Sequence, residues 1–142
     1  MLNGPNLNLL GTREPAIYGR ATLADIEARL VALGRELGVD VACEQHNGEG
    51  ELVTAVQRLA GQADGALVNA GAYSHSSLAI RDAFTAVGVP FVEVHLTNIH
   101  AREPERRHSM LAPAARAMVC GFGAEGYELA LRGLVSSLRA RG

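Results

Sequence analysis

Short apolar runs alternate with helix-like patterns along almost the whole chain, and this alternation is the feature that most constrains the fold. Four such runs, each about five residues long, span 39–43, 65–69, 90–94 and 117–121. Strands that are apolar on both faces and separated by helices are typical of a parallel sheet that helices cover on both sides. The alternation therefore predicts an α/β protein.

The segments between these runs carry helix start and stop signals. Thr22 followed by Asp25 is typical of a helix N-terminus and Gly38 of a helix C-terminus, which predicts a helix over about 22–37. Apolar residues at helical spacing predict three more helices, through 52–63, 78–87 and 127–138. This order predicts a flavodoxin-like doubly wound five-stranded parallel sheet with helices on both faces, in a single domain spanning 1–142.

The first strand is the weak point of this prediction. Only Met1 and Leu2 precede the NGPN segment at 3–6, whereas strands usually have about five or six residues. Either the first strand is stunted or the chain starts late.

The composition excludes several classes of function. All 13 residues of the Lys+Arg count are arginine, so chemistry that needs a lysine amine, such as a Schiff base or a phosphate-loop lysine, is excluded. The net charge of -2 and the pI near 6.2 provide no overall positive field for nucleic acid or an anionic membrane. No segment approaches the roughly 18 apolar residues of a membrane span, and the N-terminus lacks a charged segment leading into an apolar run. We expect a cytoplasmic protein with no nucleic-acid or membrane partner.

Two patterns resemble cofactor or redox motifs but do not fit them. The GFGAEG segment at 121–126 follows the last predicted strand, whereas a dinucleotide fingerprint belongs in the first βαβ unit, so these glycines are interpreted as packing at a helix start. Cys43 and Cys120 lie far apart in apolar segments, which favours buried free thiols over a disulfide, a metal site or a redox pair.

Polar residues collect where the predicted strands end. In a doubly wound sheet the ligand crevice lies outside the carboxyl ends of the strands, so these residues are candidates for a binding site. Four sets follow the first four strands: Asn3 and Asn6; Gln45, His46, Asn47 and Glu49; Asn69, Tyr73, Ser74 and His75; and His95, Thr97, Asn98 and His100. Any one of them could form a turn or a cap, but four sets at one edge favour a site.

The long irregular segment 6–20 is typical of a lid or binding loop. It carries Arg13 and Tyr18, five residues apart. A neighbouring guanidinium favours the ionised form of a phenol, which would make Tyr18 a usable general base. The alternative is a tyrosine that anchors the loop through apolar contacts while Arg13 is solvated, and these two residues alone leave both interpretations open.

A second constellation lies at 93–109. Strand alternation places Glu93 and His95 on the same side of a strand, so the carboxylate could orient the imidazole and hold a proton for donation. His95, His100 and His108 also raise the possibility of a metal site, but their spacing matches no compact metal motif, and no metal is expected.

Three arginines follow in the same segment. Arg102, Arg106 and Arg107 could form a clamp for a carboxylate, or could pair with Glu103 and Glu105 on a surface turn. We favour a ligand role for Arg106 and surface pairing for Arg107.

Three long motifs stand in order: LNGPNLNLLGTREPAIYG at 2–19, NAGAYSHSSLAIRDA at 69–83 and EVHLTNIHAREPERRHS at 93–109. On these motifs the sequence closely resembles the type II 3-dehydroquinate dehydratase family, and the resemblance covers nearly the whole chain. It implies a flavodoxin-like fold and a cofactor-free elimination of water from 3-dehydroquinate to give 3-dehydroshikimate, normally within aromatic biosynthesis.

The resemblance also implies roles for individual residues. Tyr18 would take the proton alpha to the ketone, with Arg13 favouring the phenolate, and Asn6 would stabilise the enolate through a water. His95, oriented by Glu93, would protonate the departing hydroxyl. The substrate would be held by Asn69, His75, Leu96, Thr97 and Arg106, and by Asp82 reaching across a subunit contact. Assembly in this family is typically a homododecamer built of trimers.

The chain departs from the family pattern at a few positions. Family members usually carry several apolar residues before LNGPNL, which complete the central strand. Thr97 stands where serine is common, which keeps the hydroxyl, and His46 stands where serine is frequent. Two rival interpretations are a non-catalytic flavodoxin-like binder of a flavin or an anion, and a catabolic role on quinate with the same chemistry.

Overall fold

The computed structural model describes residues 1–12 and 14–142. Across these residues strands and helices alternate as the sequence predicts. The strands are β1 (Leu2–Asn3), β2 (Glu44–Gln45), β3 (Ala66–Asn69), β4 (Phe91–His95) and β5 (Ala117–Cys120). The helices are α1 (Pro15–Tyr18), α2 (Leu23–Leu37), α3 (Glu49–Gln57), α4 (Leu78–Val87) and α5 (Glu125–Arg141). None of the helices in these ranges is long and apolar enough to cross a membrane.

The five strands form one parallel sheet in the order β2-β1-β3-β4-β5. This is the strand order of the flavodoxin-like doubly wound fold, which confirms the predicted fold class. The order reverses between β1 and β3, so the crevice expected for a ligand lies at the carboxyl ends of these central strands.

Helices cover both faces of the sheet because alternate strand residues point to opposite sides. On one face α2 and α5 pack over Leu67 and Val94. On the other face α3 and α4 pack over Val68 and Phe91. Two apolar layers therefore cover the faces of the sheet.

The predicted start and stop of α2 are confirmed. Thr22 Oγ1 accepts a hydrogen bond from the Asp25 backbone N–H, and Asp25 Oδ2 accepts one from the Thr22 N–H. Gly38 ends the helix in the left-handed region with φ 74°, where a side chain would be strained.

Two predicted boundaries are wrong. The predicted strand at 39–43 lies outside the sheet, and β2 is Glu44–Gln45, because β1 is short and pairs Leu2 with Glu44 and Asn3 with Gln45. The predicted helix through 52–63 ends at Gln57, where the backbone tightens into i to i+3 hydrogen bonds such as that from Leu59 N–H to Val56 O.

The short first strand keeps its central place in the sheet, since β1 pairs with both β2 and β3. The segment after it contains a 3₁₀ turn at Leu7–Leu9 and the single-turn helix α1. Leu7 and Leu10 are buried in the core and anchor this segment across the top of the sheet. The two cysteines have no disulfide, but both are only partly buried, which corrects the expectation of buried thiols.

Candidate active site

One pocket lies at the carboxyl ends of β1, β3 and β4 and gathers most of the predicted site residues. Its polar lining comes from the segments that follow these strands. The predicted residues that line it are Asn6, Tyr18, Asn69, His75, His95, Leu96, Thr97 and Arg106, and Arg102 joins them. Three of the four predicted sets, those after β1, β3 and β4, therefore contribute residues to this pocket. The set after β2 does not line it: Gln45, His46, Asn47 and Glu49.

The segments after β1 and β3 approach each other closely at Gly4. Its backbone N–H donates to Asn69 O at 2.7 Å, and a Cβ at this position would lie 2.4 Å from Ala70 O. Only glycine permits this approach. Asn6 follows in the left-handed region with φ 68°, and its N–H donates to Asn47 Oδ1 at 3.1 Å. The backbone therefore places Asn6 at the pocket rim.

Tyr18 meets a guanidinium that the sequence did not assign to it. Arg102 Nη1 donates to the Tyr18 hydroxyl oxygen at 3.1 Å, and its Cζ lies 5.4 Å from the centroid of the Tyr18 ring. An anion on the phenolic oxygen would lie against this positive charge. Arg13, the predicted partner of Tyr18, lies outside the described residues, so that pairing stays a prediction.

Glu93 and His95 form a pair, as the period of the strand predicted. His95 Nε2 lies 2.6 Å from Glu93 Oε1, and the Glu93 side chain is completely buried behind the pocket. Ser109 Oγ donates to the same carboxylate oxygen at 2.6 Å. Sequence reasoning missed Ser109, since nothing in its spacing from Glu93 marks it. The pair places a hydrogen-bonded imidazole in the pocket wall.

His75 is held as a neutral hydrogen-bond acceptor. Its Nδ1 lies 2.8 Å from His108 O, and a carbonyl can only accept, so Nδ1 carries the hydrogen and Nε2 keeps a lone pair. Burial lowers the pKa of His75 below its usual value, and the charges of His95 and Arg106 act in the same direction. The ring stacks on that of His95 with 5.9 Å between centroids.

Asn69 is oriented by a buried network. Its Nδ2 donates to the Tyr127 hydroxyl at 2.8 Å, and Gly71 N–H donates to its Oδ1 at 3.1 Å. Tyr127 in turn donates to Asn3 Oδ1 at 2.9 Å, and burial raises the pKa of Tyr127 well above its usual value, so it remains a phenol. Because Nδ2 carries two hydrogens, Asn69 has one left for a ligand in the pocket.

The arginines of the segment after β4 take different places. Arg106 lines the pocket and donates from Nε to Glu103 Oε1 at 2.5 Å, a bond that does not use its terminal nitrogens. Arg107 lies outside the pocket lining and donates to Arg102 O at 2.6 Å. Arg107 is exposed as predicted, but it is Arg106 that pairs with Glu103, and the ligand role of Arg106 stays a prediction.

Two predicted site residues among the described ones do not line the pocket: Glu93, which lies behind it, and Asp82. Asp82 lies exposed on α4. Within residues 1–12 and 14–142, no three side chains of His, Cys, Asp or Glu are grouped so that they could hold a metal ion.

The fold and the pocket together define a class of protein: a flavodoxin-like domain whose crevice holds a tyrosine against an arginine and a histidine against a buried carboxylate. The family model described as dehydroquinase class II matches residues 1–135. The chain belongs to this family.

Individual relatives agree with the family match. A protein named 3-dehydroquinate dehydratase from Gemmatimonas aurantiaca is 62% identical over 141 residues, which cover 99% of this chain and 93% of the relative. The crystal structure of type II dehydroquinase from Propionibacterium acnes matches with a TM-score of 0.91 and 43% identity, covering 95% of this chain and 93% of that one. The crystal structure of type II dehydroquinase from Butyrivibrio crossotus matches with a TM-score of 0.90 and 35% identity, covering 94% of this chain and 93% of that one.

Proposed function

We propose that this chain eliminates water from 3-dehydroquinate to give 3-dehydroshikimate through an enolate, in the shikimate pathway of aromatic biosynthesis. The family match and the names of the relatives support the reaction. The observation that carries the residue assignment is that a Tyr–Arg contact and a Glu–His pair lie at one pocket. The steps are proton transfers, so the reaction calls for no cofactor and no metal.

The base in this proposal is Tyr18. As a phenolate it takes the proton alpha to the ketone, and the electron pair of that C–H bond moves to form the enolate. The contact from Arg102 supports the phenolate, and we assign the same role to Arg13 from the family resemblance. Asn6, at the pocket rim, stabilises the enolate oxygen through a water.

The acid is His95. The enolate electrons return to restore the ketone and form the new C=C bond, and the tertiary C–O bond breaks. His95 gives its proton to the leaving hydroxyl, which departs as water. Glu93 orients the ring and compensates its charge while the proton is held. Proton exchange with solvent returns Tyr18 and His95 to their starting forms.

The remaining lining residues hold the substrate. Asn69 donates and neutral His75 accepts hydrogen bonds from its hydroxyls, and Arg106 binds its carboxylate. Leu96 and Thr97 also line the pocket, and we assign them the substrate contacts that the family resemblance implies. The exposed position of Asp82 suits a role in the pocket of a neighbouring subunit, within a cytoplasmic homododecamer of trimers.

The proposal is tested by adding 3-dehydroquinate to the purified protein and following the conjugated enone absorbance of the product. Correctly folded protein that produces no enone above background would remove the assignment. A second arm exploits the absence of lysine. Borohydride added with substrate should leave the recovered protein active, because no imine can be trapped; inactivation by an adduct would contradict the enolate route.

A further inference from the structure

Ser109 is a buried hydroxyl with three hydrogen bonds behind the candidate active site. It is 7% exposed and follows the loop after β4. Its Oγ accepts from Leu111 N–H at 3.1 Å and from Ala112 N–H at 3.0 Å, and it donates to Glu93 Oε1 at 2.6 Å. Neither the sequence motifs nor the roles proposed above give it a function.

The number of hydrogens fixes the direction of each bond. A serine hydroxyl has one hydrogen and two acceptor lone pairs. Backbone N–H groups can only donate, so Leu111 and Ala112 occupy both lone pairs. The single hydrogen is therefore committed to Glu93, and Oε1 of Glu93 must accept it.

The same reasoning fixes the direction of the hydrogen bond between Glu93 and His95. Glu93 Oε1 receives the Ser109 hydrogen on one lone pair, and as a carboxylate oxygen it has no hydrogen of its own to donate. His95 Nε2 contacts this same oxygen at 2.6 Å, so Nε2 must be the donor and carries a hydrogen. The other ring nitrogen, Nδ1, is then the atom left for the substrate.

We propose that Ser109 is a positioning residue that makes Glu93 Oε1 a pure acceptor, holds His95 in its Nε2–H tautomer, and thereby makes Nδ1 the atom that delivers the proton. This proposal rests on the assignment of His95 as the acid. In the transfer step Nδ1–H gives its proton to the leaving hydroxyl, which departs as water. Nε2–H stays bound to Glu93, so the imidazole returns to the same tautomer after each turnover.

The turn at 109–112 has supports that do not depend on the serine hydroxyl. Met110 N–H donates to Ser74 O at 2.7 Å, and Leu111 is completely buried in the core. Removal of the hydroxyl should therefore disturb the Glu93–His95 pair more than it disturbs the fold.

The test compares two buried serines. Ser109→Ala removes the donor to Glu93, and Ser77→Ala is the matched control, because Ser77 is 1% exposed and caps α4 by accepting from Ile80 N–H without contacting Glu93. We expect Ser109→Ala to lower kcat about tenfold with KM nearly unchanged. Ser77→Ala should lower stability but leave kcat near that of the parent. Ser109→Thr keeps the hydroxyl and should restore most of the turnover.

The decisive measurement is the tautomer of the neutral His95 ring, read from its ¹⁵N chemical shifts. The parent protein should show Nε2–H, and Ser109→Ala a mixture of tautomers, whereas Ser77→Ala should match the parent. An Nδ1–H tautomer in the parent protein would overturn the proposal even if no variant folds. Equal turnover defects in Ser109→Ala and Ser109→Thr would also overturn it.

The ¹⁵N experiment separates this proposal from the proposed function. The tautomer and its dependence on Ser109 can be read whether or not the protein dehydrates 3-dehydroquinate. Inactive protein with the expected tautomers would remove the dehydratase assignment alone, and active protein with an unchanged tautomer in Ser109→Ala would remove the role of Ser109 alone.

Discussion

The two sides of the candidate active site are built on different kinds of backbone. The acid side stands on strand β4, where Glu93 and His95 are two residues apart and the carboxylate is completely buried. The base side joins Tyr18, from the single-turn helix α1, to Arg102, which follows a 3₁₀ turn, and Tyr18 remains partly exposed. A strand fixes its side chains through a paired ladder, whereas a loop fixes them through individual contacts. We therefore expect the geometry of the acid side to depend on the strand pairing of β4. The geometry of the base side should depend on the individual contacts of Tyr18 and Arg102.

The largest effect is expected on the base side. Tyr18→Phe removes the hydroxyl that takes the substrate proton, so kcat should fall by about 10²- to 10⁴-fold while substrate still binds. Steady-state turnover together with a binding titration measures both quantities. The matched control is Tyr73→Phe, which removes a hydroxyl donated to Asn47 O at 2.9 Å outside the pocket lining. Near-normal turnover in Tyr18→Phe would exclude it as the base.

The next effect tests the acid side. In Glu93→Gln an oxygen can still accept from Ser109 and His95, but the charge is lost and an amide N–H₂ takes the place of Oε2, which has no hydrogen-bond partner among the described residues. We expect kcat to fall about 10- to 100-fold and the free energy of unfolding to fall by about 1–3 kcal/mol.

The control for Glu93→Gln is Glu51→Gln. Glu51 is a carboxylate on α3 whose side chain is 64% exposed, and it lies 3.6 Å from His46 outside the pocket. Its variant should keep both turnover and stability, as isolated surface pairs contribute little. If Glu93→Gln behaved like Glu51→Gln, burial of the carboxylate would have no part in the acid side.

A smaller effect is expected from Arg102→Gln. The charge-assisted hydrogen bond to Tyr18 would be lost, which should lower kcat about tenfold and affect KM less. Arg106→Gln is the contrasting variant, because Arg106 is assigned to the substrate carboxylate and should mainly raise KM. Steady-state kinetics of both variants measures kcat and KM separately. A defect in KM alone for Arg102→Gln would show that Arg102 binds the substrate and does not support the base.

The same contrast explains what the sequence could predict. Glu93 and His95 were predictable because the period of a strand puts residues two apart on one side. The contact between Tyr18 and Arg102 joins residues 84 positions apart, and no local period encodes such a distance. The sequence therefore left Arg102 open between a carboxylate clamp and surface pairing. Ser109 was missed for the same reason.

The fold was predicted more fully than the site, since amphipathic periods determine the layers of an α/β sheet. The position of β2 was not predicted, because pairing with the two residues of β1 decides it. The β-branched residues Val39 and Val41 pack against the core outside the sheet. β-branched residues favour a strand, but a segment forms a strand only where a neighbouring strand pairs with it.

The smallest effect concerns His75, which lies beside the acid side: its Nδ1 donates to His108 O and its ring stacks on His95. Because burial lowers the pKa of His75, the unfolded chain takes up a proton near the usual histidine pKa of about 6.5 while the folded protein resists it. Below that pH the unfolded state binds more protons, so stability falls as the pH falls through this window and is restored above it.

Urea unfolding at about pH 7.5 and about pH 5.5 measures this loss. His75→Gln keeps a donor for the His108 carbonyl but cannot titrate, so it should lose less stability between the two pH values than the parent. His100→Gln, at an exposed position, should lose as much as the parent. Equal losses in His75→Gln and the parent would show that the neutral state of His75 is not coupled to folding. Burial would then not explain why His75 accepts a hydrogen bond from the substrate.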